Sequence, residues 1–596
     1  MIQLQTKFSR QVDEHNVLPE YPRPSLVRTS YLNLNGRWEC AFSKTPEIPL
    51  SFDLSILVPF SPECQLSGVS RQLKPGEYLW YRRTITLAKP QQDKRILLHF
   101  GAADQTAEVF VNRISAVRHC GGYLPFSADI TDYLQEGDNE LIVRIQDESN
   151  TSWHARGKQS LKPGGMFYTA QSGLWQTVWM EIVPVNYIEQ IFYHTDYDQG
   201  LVHLKVLTQH SAPVECVISG KDMEPVCING MTNSELIVSL PDFHPWTPED
   251  PFLYLVSLKS SADRVSSYFA MRKCDIQTAP DGTQRFFLNN KPYFQAGVLD
   301  QGYWPESLYT APTDEALAAD ISRMKKLGFN MLRKHAKIEP ERFYYHCDQL
   351  GMLVWQDMVN GGSAYKHWFV TYLATLMNWN HISFSDDEKH AGLLSRLHPE
   401  GKDEFRREIT ETIAFLYNHP SIVVWVPFNE GWGQFDALAA CEQIRTLDSS
   451  RLVDHASGWF DQKGGDILSL HYYFLKLKFK PESKRAAALT EFGGYSLSIP
   501  GHSCCKKVYG YKKFNSTGAL TYGYIDLIRQ TILPAVKKGI GATVYTQLSD
   551  IEEETNGIYT YDREICKIDP DTLRKWNRAL KEAGECKTYA DHTTDH

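Results

Sequence analysis

From about residue 277 the hydrophobic pattern changes period, and that change constrains the fold more than any other feature of the chain. Apolar runs of strand length begin to alternate with stretches whose apolar residues recur every three or four positions. The runs are YFQAGV (293–298), NMLRKH (330–335), MLVWQDM (352–358), IVVWVPFNE (422–430), RLVDHAS (451–457), ILSLHYY (467–473), ALTEFGG (488–494) and GATVYTQLSD (541–550). They lack strict polar alternation, as strands covered on both faces do. The intervening helices are legible. Thr313 is placed to cap the first, Asp314 and Glu315 sit in its positive first turn, Leu317, Ile321, Met324 and Leu327 form its inward face, and Gly328 ends it. Another carries Phe405, Ile409, Ile413 and Leu416 on one side and stops before Pro420. Eight strands alternating with helices predict a catalytic (β/α)8 TIM barrel over 277–596. A doubly wound open sheet is the competing arrangement, but no glycine-rich dinucleotide loop follows the first strand.

The preceding residues read differently. YLWYRRTITL, RILLHF, TAEVFVN and NELIVRIQD are β-rich and broken by Gly, Asn, Asp and Pro, so residues 1–183 are expected to form a jelly-roll β-sandwich. GLVHLKVLTQ, VECVISG, SELIVSLP and FLYLVSLKS, within 184–276, have the size and spacing of an immunoglobulin-like β-sandwich. A polar, aromatic, glycine-bearing stretch between Asp147 and Gly173 suits either a loop lining a site or a plain connection between domains.

A length of 596 residues exceeds what one core organises and predicts three or four domains. The formal net charge of −9 excludes nucleic acid as a main partner, which would require a basic stripe. The N-terminal stretch MIQLQTKFSRQVDEH has no apolar signal core, and no run of ~18 apolar residues is present to span a bilayer. The 12 cysteines show no metal-ligand spacing, which reads as reduced thiols in a cytoplasmic protein without structural zinc. The polar tail 587–596 is expected to lack packed structure.

Barrel enzymes carry their chemistry at the C-terminal ends of the strands. Those ends supply Asp300, Arg333 with His335, Gln356 with Asp357, Asn429 with Glu430, His471 with Tyr472 and Tyr473, Glu491, and Gln547 with Asp550. Glu430 and Glu491 stand out because each ends a strongly apolar segment, on the fourth and seventh strands, which face each other across a barrel mouth. Two carboxyls about 5 to 5.5 Å apart suit retaining glycoside hydrolysis, one as nucleophile and the other as general acid/base. Asn429, beside Glu430, is placed to hydrogen-bond a sugar 2-hydroxyl. The plain alternative for either glutamate alone is a salt bridge to a rim arginine.

These residues carry a resemblance. The chain resembles glycoside hydrolase family 2, which includes β-galactosidase, β-glucuronidase and β-mannosidase, over almost its whole length. In the first domain the similar segments are YPRPSLVRTSYLNLNGRWE, FGAADQTAEVFVN and SGLWQTVWMEI; in the second, HPWTPEDPFLY and YFAMRKCDI. The barrel contributes LNNKPYFQAGV, DISRMKKLGFNMLRKH, YYHCDQLGMLVWQD, HPSIVVWVPFNEGW and LTEFGG in the family's order. The resemblance implies a retaining exo-β-glycosidase with Glu430 as acid/base and Glu491 as nucleophile. It implies an arginine near the nucleophile at Arg333 and a tyrosine contacting the nucleophile at Tyr472 or Tyr473, with Tyr472 preferred. Asp300 falls where relatives carry a polar sugar-contacting residue. The family's Arg-Thr-Ser-His is here Arg333-Lys334-His335, one residue shorter, which leaves His335 open as a sugar ligand. Trp459 and Tyr545 are candidate platforms for a sugar face or members of the core.

The resemblance leaves several glycones open. Family glucuronidases grip the uronate with an Asn-x-Lys pair after strand eight, where this chain reads SDIEEETNGIYTYDR, with three successive glutamates. Such a loop would repel a uronate unless a cation arrives from elsewhere. β-Galactosidase is therefore the first expectation, with β-glucuronidase, β-mannosidase and arabinopyranosidase as alternatives. No cofactor and no metal are expected, homo-oligomers are common in the resembled family, and a non-catalytic carbohydrate-binding protein is the alternative from another class.

Overall fold

A computed structural model describes residues 3–88, 92–379, 382–473 and 477–585. The tail 587–596 lies outside the described residues.

Eight parallel strands form the sheet at the centre of the C-terminal half, as the period change predicted. In chain order they are β1 (Gln295–Asp300), β2 (Met331–Lys334), β3 (Leu353–Asp357), β4 (Ile422–Val426), β5 (Leu452–Val453), β6 (Ile467–Tyr472), β7 (Ala486–Gly493) and β8 (Ile540–Thr546). The spatial order β5-β4-β3-β2-β1-β8-β7-β6 is that of a TIM barrel. The remaining seam, between β5 and β6, is stitched by the Asp466 N–H to the Val453 carbonyl (2.8 Å), by the Val453 N–H to the Asp466 carboxylate (2.8 Å), and by Ser469 Oγ to Asp454 (3.0 Å).

Side chains alternate strictly on most of these strands. On β2, Met331 and Arg333 point into the barrel, while Leu332 and Lys334 point at the helices. The lower interior is apolar, with Phe286 from the Gln284–Leu288 strand against Trp355 at 5.8 Å. Gln295, which accepts from Trp355 Nε1 (2.6 Å), is a polar exception there, and the other polar groups described below gather at the upper end.

The helices form as their sequences dictate. Thr313 accepts a hydrogen bond from the Ala316 N–H (3.2 Å) to cap Asp314–Lys326, whose Leu317, Ile321 and Met324 are buried. The Pro399–Leu416 helix buries Phe405, Ile409, Ile413 and Leu416.

Two antiparallel sandwiches precede the barrel. The first packs a four-stranded sheet, which includes Val178–Pro184, on a six-stranded one that includes Tyr78–Leu87 and Gly137–Gln146. The second packs three strands, Ile188–Asp196, Leu201–Thr208 and Glu235–Ser239, on four, with the two-sheet arrangement of an immunoglobulin-like domain. Buried Arg28 joins the two sandwiches, donating to Glu181 (3.1 Å) and Asp263 (2.9 Å).

Candidate active site

Glu430 lies four residues beyond the end of β4, not within a strand. Its amide donates to the Ser457 carbonyl (2.9 Å), which fastens it to the segment after β5. Its φ is +50°, a left-handed conformation that costs a non-glycine residue energy and that clusters at functional sites. Gly431 follows at φ +72°, and a Cβ there would meet the Phe460 ring at 2.4 Å. Glu491 sits on β7, where register shifts against both neighbouring strands break the alternation. Thr490 bonds Ser457 and Ser469 inside the barrel, and Glu491 is also turned to the mouth.

The two carboxylates meet over His471. His471 Nδ1 lies 2.9 Å from Glu430 and 3.7 Å from Glu491, and the nearest carboxylate oxygens and that nitrogen all fall within 4.8 Å of one another. Glu491 is the more enclosed, its side chain 6 % exposed against 12 % for Glu430.

Arg333, 0 % exposed, organises the floor of the mouth. Its guanidinium forks onto Asp357 (3.0 Å to each oxygen), donates to Glu491 (3.2 Å) and to the Thr490 carbonyl (3.1 Å), and donates to Asn429 Oδ1 (2.8 Å). The Tyr473 hydroxyl donates to the other Glu491 oxygen. Burial opposes the charge on Glu491, but His471, Arg333, His335 and Lys158 outweigh it and hold the carboxyl well below its usual range. His335 is fixed through Nδ1 to Asp357 (2.6 Å), and burial, with Lys158 second, pushes its pKa down. His335 Nε2 and Asn429 Nδ2 are both buried without a partner. Orphaned polar atoms of this kind are rare in a satisfied interior and common where a ligand completes the set.

The structure therefore gathers Glu430, Glu491, Asn429, Arg333 and His335 at one mouth. Trp459 stands beside them, its ring 5.4 Å from that of His471. Three expectations are corrected by strand alternation. Asp300 faces outward on β1, where Lys334 Nζ (2.7 Å) and the Gly302 N–H (3.0 Å) engage its two oxygens. Tyr472 packs into the layer between strands and helices, and its neighbour Tyr473 makes the contact with Glu491. Tyr545 is buried in that same layer between Phe492 and Tyr524. Its neighbour Thr546 reaches the mouth instead, 3.0 Å from the Tyr473 hydroxyl. Counting two residues along each strand from a residue already assigned to the interior would have selected His471 and Tyr473.

The stretch between Asp147 and Gly173 lies across the mouth. The Arg156 and Gly157 amides both donate to the Asn360 carbonyl (3.0 Å). Gly157, at φ +60°, lies so close that a Cβ would sit 2.6 Å from the Ala336 carbonyl oxygen. Phe167 packs against Trp432, ring centroids 5.7 Å apart. Lys158 is delivered to the mouth by this loop, a position nothing in the local sequence marked.

Paired carboxylates at this separation, one enclosed and held charged by an arginine, can carry out a double displacement at an acetal carbon. Comparison with known proteins agrees with that chemistry. The model described as "Glycosyl hydrolases family 2, TIM barrel domain" matches residues 282–531, and that described as "Glycosyl hydrolases family 2, sugar binding domain" matches 65–179.

The chain belongs to glycoside hydrolase family 2.

Among its family 2 relatives, a β-galactosidase of Thermoanaerobacter pseudethanolicus is 26% identical over 441 residues, covering 70% of this chain and 54% of its own. The human β-glucuronidase is 24% identical over 450 residues, covering 67% of this chain and 63% of its own. The chain thus spans between half and two thirds of the length of these curated relatives. A solved β-D-glucuronidase of Dictyoglomus thermophilum superposes with a TM-score of 0.72 at 17% identity, covering 94% of this chain and 98% of that one. A Ruminococcus gnavus β-glucuronidase gives 0.74 at 17% identity, covering 94% and 99%. At that identity the likeness speaks for the fold.

Proposed function

We propose that this family 2 protein is a retaining exo-β-glycosidase that uses Glu491 as nucleophile and Glu430 as general acid/base. The observation that carries the reading is the approach of the two carboxylates to within 4.8 Å across the mouth. That spacing leaves no room for the water that an inverting enzyme holds between its acids and the sugar.

In the first step the Glu491 carboxylate attacks the anomeric carbon while Glu430 gives its proton to the departing oxygen. In the second, the Glu430 carboxylate takes a proton from water, the water oxygen bonds to the anomeric carbon, and Glu491 leaves. Arg333 and Tyr473 keep Glu491 charged and aimed. Asn429, held by Arg333 through its oxygen, keeps its amide N–H2 free for the 2-hydroxyl, a contact that strengthens in the transition state.

The expectation of a galactoside ahead of a glucuronide rested on the acidic run Glu552-Glu553-Glu554. In the fold each of these glutamates has a partner in the first domain's loop. Glu552 accepts the Thr169 N–H (3.0 Å), Glu553 the Gly165 N–H (2.9 Å), and Glu554 the Tyr168 hydroxyl. The run thus anchors the first domain's loop; hydrogen bonds from neutral donors do not cancel its charge, so they do not by themselves rank the glycones.

The test is proton NMR of the sugar first released from an aryl β-glycoside. The β-anomer is expected before mutarotation; the α-anomer would overturn the double displacement.

A further inference from the structure

Where the first domain meets the barrel, away from the mouth, three side chains able to ligate a metal come together. Cys120 ends the Ile114–Cys120 strand of the first sandwich, His154 lies in the loop that crosses the mouth, and Glu404 stands on the barrel's Pro399–Leu416 helix. His154 Nδ1 lies 2.6 Å from Glu404 Oε2, and the Cys120 sulfur lies 3.9 Å from the same oxygen. All three atoms fall within 4.8 Å of one another. Cys120 is a free thiol, and Thr106 Oγ1 donates to its sulfur at 3.8 Å, as it would to a thiolate. Spacing along the chain shows no such set, because 250 residues separate His154 from Glu404.

A His154–Glu404 ion pair accounts for part of this arrangement but not for Glu408. That residue lies one turn further along the helix, is 8 % exposed, and forms neither an ion pair nor a side-chain hydrogen bond among the described residues. Arg407 and Arg396 act on it only from beyond ion-pair distance, while Glu404 and Glu411 add negative charge around it. Its carboxylate lies beside the residue that follows Cys120: a Cβ on Gly121 would stand 3.4 Å from Glu408 Oε1. Two enclosed carboxylates on adjacent turns repel, and a divalent cation held at Glu404 would offset that repulsion. One thiolate, one imidazole and one carboxylate form a donor set that suits zinc. In a tetrahedral zinc site, with bonds of about 2.3 Å to sulfur and about 2.0 to 2.1 Å to nitrogen and oxygen, ligand atoms stand about 3.3 to 3.6 Å apart. Replacing the shared proton by Zn²⁺ opens the His154–Glu404 contact from 2.6 Å and draws Cys120 in from 3.9 Å, both small side-chain adjustments.

We propose that Cys120 Sγ, His154 Nδ1 and Glu404 Oε2 ligate one Zn²⁺ that fastens the first domain and its mouth-crossing loop to the barrel. The path from ion to loop is short. The other Glu404 oxygen accepts the Ala155 N–H (3.0 Å), and the next two amides, of Arg156 and Gly157, donate to the Asn360 carbonyl (3.0 Å). An ion held at His154 therefore fixes the root of the loop whose later residues lie over the mouth.

The experiment titrates the metal-stripped full chain with Zn²⁺ alone and, separately, with Co²⁺ alone, in wild type, Cys120→Ser, His154→Gln and His502→Gln. Wild type is expected to carry one zinc per chain through gel filtration, and to show with Co²⁺ a sulfur-to-metal charge-transfer band beside the visible bands of a tetrahedral ion. Cys120→Ser, a conservative change at a partly exposed position, is expected to lose that band and the retained zinc, and His154→Gln to lose the zinc. His502 belongs to a separate cluster with Asp562 and Glu564, so His502→Gln is expected to bind as wild type does. No retained zinc in wild type would overturn the proposal. So would zinc held equally by wild type and Cys120→Ser, or lost in His502→Gln alone. Zinc is further expected to slow amide hydrogen exchange around His154 in wild type and not in Cys120→Ser; equal exchange with and without zinc in wild type would overturn the anchoring role. None of these readouts depends on the glycosidase reading.

Discussion

Arg333 and Lys334 are neighbours on one strand, both enclosed and both paired with acids, yet they belong to networks with opposite character. Arg333 points into the barrel and meets Asp357, Glu491 and Asn429. Lys334 points at the helices, where it donates to Asp300 (2.7 Å) and Glu339 (2.9 Å) and lies over the Phe343 ring at 4.2 Å. Lys337 completes that wall network by donating to Glu339 (2.8 Å) and to the Gly302 and Tyr309 carbonyls, and burial pushes its pKa down to about 8. In the wall network none of Asp300, Lys334, Lys337 and Glu339 has a buried side-chain polar atom without a partner. In the mouth network, by contrast, His335 Nε2 and Asn429 Nδ2 are unpartnered. Buried charge alone therefore does not mark a site. Nor does an unpartnered atom alone, since Tyr193 Oη and Thr412 Oγ1 lie elsewhere in the molecule; the mouth is set apart by open donors beside paired carboxylates.

The largest expected effect separates chemistry from scaffold. Glu491→Gln should lower kcat on aryl β-glycosides by on the order of 10⁴-fold or more while the thermal transition stays cooperative. A few-fold loss would remove Glu491 from the mechanism.

The pair on β2 sharpens the comparison directly. Arg333→Met and Lys334→Met each strand acids in the interior, and each should cost about 3 to 5 kcal/mol by denaturant titration. Only Arg333→Met should also lower kcat in the protein that remains folded. Equal catalytic losses in the two would erase the distinction between mouth and wall.

A smaller effect tests alternation on β6. Tyr473→Phe removes the hydroxyl that donates to Glu491 and should slow turnover by about 10-fold or more, since a hydrogen bond to a charged group is worth about 1.5–3 kcal/mol. Tyr472→Phe changes a side chain in the layer facing the helices and should leave kcat near wild type. The reverse order would reinstate Tyr472 as the nucleophile's partner.

The pH dependence should be the mildest of these effects. With its folded pKa depressed, Glu491 contributes stability that is fully present above the unfolded carboxylate value of about 4.3. That contribution is lost only as pH falls through the lower folded value. The acid limb of kcat/KM should accordingly lie below the ordinary carboxylate range in wild type and move upward in Tyr473→Phe, as pH-rate profiles would reveal.

The fold was legible because it is written in periodicity. The capped helix Asp314–Lys326 and the apolar runs of β1, β3 and β8 could be read from spacing alone. The candidate site was legible where a residue's position did not depend on which way a strand faces. Glu430 lies past its strand and Glu491 at a register shift, so their segments identified them without alternation. Asp300, Tyr472 and Tyr545 were misplaced because they sit within regular strands, where a shift of one residue exchanges mouth for wall. Lys158 lay beyond sequence reasoning for another reason. Its place at the mouth depends on a domain contact spanning nearly 400 residues, between Thr169 and Glu552.

The most direct test of the central claim is peptide mapping of the enzyme after reaction with a 2-deoxy-2-fluoro β-glycosyl fluoride of the preferred glycone. Slow turnover should trap one sugar per chain on the peptide that contains Glu491, with its carboxylate as the modified atom. An adduct on Glu430 or on any other side chain, or rapid turnover with inversion and no adduct, would contradict the account.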